Sequence, residues 1–177
     1  MVLVTLTDQQ RETAAAHLNY EIQMMATLHA WTAKLDEEGP PVLRNACLEA
    51  TLLHARLLIE FLAGRPRDNG RGWNRNDITP SDFVSDWAPK HLHHLDGYLE
   101  LADKHVVHLS LDRATATESR TWALGRMVDA ILSEFGNFAD AAEREHSLFA
   151  TGFHGALTHA MMYRDSPVET WPPTERQ

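Results

Sequence analysis

Apolar residues recur along this chain at steps of three and four. Leu18, Ile22, Met25, Leu28, Trp31 and Leu35 follow one another in this way, and that spacing lines one face of an α-helix. Thr7 stands three residues before Gln10, the arrangement of a capping box, so the helix is predicted to begin there. The stretch DEEGPP ends it. A second helix is predicted from about Pro41, a residue at ease in a first turn, to Gly64. Leu43, Ala46, Ala50, Leu53, Leu57 and Phe61 fall on one side of it, and Leu48, Leu52, Leu58 and Leu62 widen its apolar face. It is therefore predicted to be the central, most buried helix.

Gly64, Pro66, Gly70, Gly72, Pro80 and Pro89 interrupt the pattern and predict a long loop, with one short helical turn at PSDFV. Periodicity returns with Leu92, Leu95, Leu99, Ala102, Val106 and Leu109, a heptad-like seam. After LDRATAT it resumes with Trp122, Leu124, Val128, Ile131, Phe135, Phe138 and Ala142, preceded by Thr115 and Glu118 as a second capping-box pair. FATGFHGALTHAMMYRD adds a short helix, and the prolines past Ser166 predict a loose tail. No stretch alternates as a strand would. The expected fold is all-α: an antiparallel four-helix bundle with a long loop between helices 2 and 3 and a short C-terminal helix or tail. One domain should span 1–166, with 167–177 as the tail.

Composition narrows the function classes. A chain of 177 residues that is 44% hydrophobic suits one core. The opening MVLVTL lacks a basic flank, and the apolar run LLHARLLIEFLAG is broken by His54, Arg56 and Glu60, so neither a secretory leader nor a membrane span is predicted. A single cysteine, Cys47, forms no internal disulfide and is compatible with a reducing compartment, making the cytoplasm the default. It sits in a helix expected to be mostly buried, with no evident base beside it, and reads as core. The formal charge of −9 argues against broad binding to nucleic acid, DNA above all, because that mode depends on neutralising many phosphates.

The eleven histidines are the compositional oddity. One residue out of phase with the Leu92–Leu109 seam runs a second line: His91, His94, Tyr98, Leu101, His105 and His108. At about 100° per residue the two lines lie side by side, which puts these imidazoles at the edge of the core or at an interface. They are either boundary side chains each satisfied by one hydrogen bond, or a functional strip. On the second helix, His54 reads as a buried core histidine, with Arg56 and Glu60 four apart as a surface pair.

The pairing of EATLLHARLLIEFL with the later DKHVVHLSLDR, over about residues 43–113, resembles uncharacterised bacterial relatives of the higher eukaryotes and prokaryotes nucleotide-binding (HEPN) superfamily. The resemblance implies a helical bundle, often from defence or toxin–antitoxin systems, and in active members a metal-independent endoribonuclease site composed across a dimer. His108 then matches the histidine of the family signature, implying proton transfer at a ribose 2′-hydroxyl. The signature arginine, which would stabilise charge on phosphorus, has no counterpart at the matching distance: Asp103 stands five positions before His108. Lys104 and Arg113 are the substitutes, His105 lies on the same strip, and lysine lacks the planar fork that grips two oxygens. Arg11 and His17 reproduce the spacing by chance in the first helix.

The remaining chemistry is thinner. Glu143 and His146 form the one Glu-x-x-His pair found, short of the set a di-iron bundle needs, so no metal or other cofactor is expected. GRPRDNGRGWNR gathers Arg65, Arg67, Arg71 and Arg75 around Trp73 and is the best RNA-facing stretch, the alternative being a solvated loop. Two functions stay open. One is a HEPN-like protein, either a metal-independent endoribonuclease or a non-catalytic relative. The other is a non-enzymatic homodimeric interaction module with a histidine-lined interface. A homodimer is expected in both, with RNA or a partner protein as the further partner and no membrane.

Overall fold

A computed structural model describes residues 6–63, 78–89 and 124–165. Those residues are helical with no strand among them, and they fold as a helical bundle. Helix α1 spans Asp8–Glu38 and α2 spans Pro41–Ala63. Helix α3 spans Leu124–Arg144 and α4 spans Ala150–Asp165, while Pro80–Asp82 forms a single 3-10 turn. The predicted turn at PSDFV is thus present. The predicted helix over Leu92–Leu109 and the tail 167–177 lie outside the described residues.

Local chemistry explains the boundaries. Thr7 caps α1 reciprocally: its hydroxyl accepts from the Gln10 backbone N–H at 3.2 Å, and its own N–H donates to Gln10 Oε1 at 2.9 Å. At the other end the Gly39 N–H donates to Leu35 O at 2.9 Å. A Cβ on Gly39 would lie 2.8 Å from Leu35 Cα, so the turn into α2 needs a residue without one. Helix α3 closes in a Schellman motif: the N–H of His146 donates to Glu143 O and that of Ser147 to Ala142 O, both at 2.9 Å. His146 takes the left-handed conformation, φ 57°, that this motif demands.

Two antiparallel hairpins, α1/α2 and α3/α4, pack side by side. Helix α1 lies along both α2 and α4, and α3 closes on α4 and α2. Helices α1 and α4 run the same way: a Cβ at Gly152, near the start of α4, would meet Asn19 at 3.3 Å, while Arg164 near its end acts on His29. The short helix expected in this region is therefore present as α4, packed into the bundle against α1 and α3. Phe153, Ala156 and Ala160, at steps of three and four, are its buried face.

The core joins Ile22 and Met25 to Leu58 and Leu62, to Ile131, Phe135 and Phe138 and to Phe153. Residues 78–89 are part of it. The Phe83 ring meets Phe61, Phe138, Phe149 and Phe153 edge-on, and Trp87 packs against Phe138 at 5.2 Å. The Trp87 indole N–H donates to Leu62 O at 2.7 Å, tying this segment to α2.

Helix α2 corrects one expectation. Its buried arc is Thr51, Leu52, Ala55, Leu58, Ile59, Phe61 and Leu62. Of the line read as facing inward, Leu43, Leu53 and Leu57 are 54%, 44% and 51% exposed. Apolar residues occupy more than half the circumference of α2, so periodicity alone does not select the inward side; packing against α1 and α3 does. Helix α3 has polar residues opposite its core face, and there Val128, Ile131, Phe135, Phe138 and Ala142 are all buried as predicted.

Candidate functional site

The outward side of α2 carries a cleft. Glu21 from α1 and Ala50, Leu53, His54, Arg56, Leu57 and Glu60 from α2 enclose about 360 Å³. The hairpin crossing brings Glu21 opposite His54, and the His54 Nδ1–H donates to Glu21 Oε2 at 2.5 Å. A carboxylate only accepts, which places the hydrogen of this bond on Nδ1. The two side chains are 17% and 19% exposed, so the pair is shielded without being sealed. The Tyr20 ring stands edge-on to the imidazole, centroids 5.9 Å apart. Two residues after His54, Arg56 donates through Nε and Nη2 to Glu60 Oε1 at 3.2 and 3.1 Å, the pair predicted from their spacing.

The chemistry of this cleft is mixed. Glu21 and Glu60 set two negative charges against the one positive charge of Arg56, and Ala50, Leu53 and Leu57 supply an apolar wall. Such a surface suits an apolar ligand or another helix carrying a few polar groups better than a run of phosphates. The His54–Glu21 pair can hold and move a proton in the manner of an oriented imidazole.

Three other polar sites lie among the described residues. His29, between α1 and the Asp129–Arg164 ion pair (2.8 Å), is held below the usual histidine range by burial, with Asp129 opposing and Arg164 adding to the effect. Glu134 is 1% exposed on the core side of α3 and accepts from the Asn137 side-chain amide at 3.2 Å. Where α3 meets α4, Asp140, Glu143 and His154 converge, with a ligand atom of each within 4.8 Å of the others, and could hold a metal ion. Glu145 beside them accepts from the Ser85 N–H and hydroxyl at 3.0 and 3.1 Å. That backbone donor leads the causes holding its carboxyl below the usual range.

The ten site residues expected from the sequence lie outside the described residues: Asp103, Lys104, His105, His108 and Arg113 on the histidine strip, and Arg65, Arg67, Arg71, Trp73 and Arg75 in the basic stretch. Cys47 is half-buried, and desolvation raises its thiol above the usual range. Sequence reasoning noticed His54 but read it as core, and it missed Glu21 and the Asp140–His154 grouping. Glu21 sits 33 positions from His54, and pairing across a hairpin leaves no local signal. Glu143 was paired with His146 by spacing, whereas the left-handed turn at His146 ends α3 and brings His154 to Glu143 instead. No helix among the described residues is long and apolar enough to cross a membrane. Comparison with protein-family models, curated proteins and solved structures finds no match for this chain.

Proposed function

We propose that the chain is a HEPN-like helical interaction module that pairs with a second copy of itself through the outward side of α2, with the His54–Glu21 cleft at the interface. The observation that carries this reading is the apolar line Val42, Ala46, Ala50, Leu53 and Leu57, at steps of four, four, three and four, exposed or half-exposed along one helix. Steps of that kind make a seam for another helix. A seam repeated on an identical chain is self-complementary about a two-fold axis. The histidine line expected from the sequence, His91, His94, His105 and His108, lies outside the described residues, so the interface proposed here is a different one, with His54 at its edge.

Metal-independent cleavage of RNA is the second reading, favoured by the His54–Glu21 pair beside Arg56. An imidazole oriented by a carboxylate takes the 2′-hydroxyl proton as that oxygen attacks phosphorus, and the 5′-oxygen leaves with a proton returned to it. The HEPN resemblance assigns the same role to His108, with Lys104 or Arg113 as the cation.

Light scattering on the wild-type chain and on Leu53→Glu/Leu57→Glu tests the first reading. A dimer that becomes a folded monomer in the variant supports it. A wild-type monomer at micromolar concentration, or a variant that loses its circular dichroism because the seam is covered within one chain, overturns it. Incubation with RNA in chelator tests the second reading. Cutting that His54→Ala or His108→Ala abolishes supports it, and identical inactivity of all three proteins removes it.

A further inference from the structure

We propose that Asp140, Glu143 and His154 form a binding site for a divalent transition metal, zinc being the best fit, that staples α3 to α4. Asp140 and Glu143 are three apart and share a face at the end of α3, and His154 meets them from the second turn of α4. His154 Nε2 lies 3.4 Å from a Glu143 oxygen and 3.8 Å from an Asp140 oxygen. A tetrahedral ion with bonds of about 2.1 Å to nitrogen and oxygen separates its ligand atoms by roughly 3.4 Å. The His154–Glu143 separation matches that value, and the other two, 3.8 Å and within 4.8 Å, need only small side-chain rotations to reach it.

Two independent features point the same way. His154 Nε2 is excluded from solvent and has no hydrogen-bond partner, although two carboxylates stand close to it. A buried polar atom in that state carries a penalty that a metal bond removes. The two carboxylates also sit at the C-terminal end of α3, where the helix dipole is negative and disfavours them, and a cation reverses that term. Three protein ligands of nitrogen and oxygen type leave a fourth position for water, a set that suits zinc and excludes the soft-ligand sites of copper(I). Asp140 and Glu143 are exposed, so an ion can reach the buried Nε2 from the side of the carboxylates.

The probe is cobalt(II), followed by zinc, added to the full chain after chelator treatment. One equivalent of cobalt should produce the intense visible absorption of four-coordinate geometry, and zinc should displace it. Asp140→Asn and His154→Gln should each weaken binding by at least the roughly 10- to 100-fold that loss of even an outer partner of a ligand costs, with unchanged circular dichroism. Zinc should also raise the thermal midpoint of the wild type and leave that of both variants alone. Absence of the cobalt spectrum overturns the proposal. So does equal binding by wild type and both variants, which would move the metal to other histidines. Asp140→Asn guards against a folding defect, because that side chain is exposed.

Discussion

Leu57 and Leu58 are adjacent in α2 yet face opposite surroundings, so replacing each by alanine separates a surface seam from a core. Leu58 is fully buried, whereas half of the Leu57 surface meets solvent. Leu58→Ala removes a packed side chain from between helices, and such changes cost about 2–5 kcal/mol. For a chain of 177 residues, each kcal/mol moves the thermal midpoint by roughly 2–4 °C. A mid-range loss of about 3 kcal/mol therefore lowers it by roughly 6–12 °C. Leu57→Ala gives up only part of the roughly 1.5–3 kcal/mol that full burial of leucine supplies. In dilute protein its cost should stay near or below about 1 kcal/mol. If two copies meet through this seam, as proposed, the Leu57→Ala cost should grow with protein concentration, because association stabilises the folded state by mass action. Urea denaturation at two concentrations a hundredfold apart reads both effects. Equal, concentration-independent losses for the two variants would show that Leu57 is as internal as Leu58 and would refute the assignment of the outward face.

Three more outcomes follow from local geometry. His146→Gly should stabilise the protein by about 1 kcal/mol in urea unfolding, because glycine adopts the φ of 57° without strain; a loss would mean that the side chain makes a contact worth more than the strain. Gly39→Ala should destabilise by about 1–3 kcal/mol, since the new methyl meets the Leu35 backbone and the hairpin must shift; a neutral result would show that the turn already has room. His29 is held below its ordinary value of 6.5, mainly by burial, so the unfolded chain takes up a proton before the folded one does. Stability should therefore fall as pH drops below 6.5 and level off once the folded imidazole protonates, and His29→Gln should flatten that slope.

How much was legible in the sequence varied by element. Helix α1 was readable at both ends because its signals are local: the Thr7–Gln10 box starts it and Gly39 with Pro40 ends it. Helix α3 was readable in phase because polar residues occupy its far side, and only one rotation buries Phe135 and Phe138 together. Helix α2 was readable as a helix but not in rotation, since leucine appears on nearly every face of it. The place of α4 depended on burying Phe153, Ala156 and Ala160, with Phe153 against Phe135 and Phe138 of α3, and small residues give a weak pattern although they permit close approach. The candidate site was less legible than the fold. Arg56 and Glu60 share a helix and announce themselves by spacing. Glu21 and His54, like His154 and Glu143, meet only after a hairpin closes.

Two copies are proposed to meet along the outward side of α2, with His54 at the edge of the contact. A nitroxide at Glu49→Cys, on the exposed edge of that seam, in a Cys47→Ser background, reports it most directly through electron paramagnetic resonance. A dipolar coupling between labels on different chains, lost on dilution with unlabelled protein or on introducing Leu57→Glu, is the predicted result. A spectrum free of coupling at concentrations where the chain is fully labelled would contradict it.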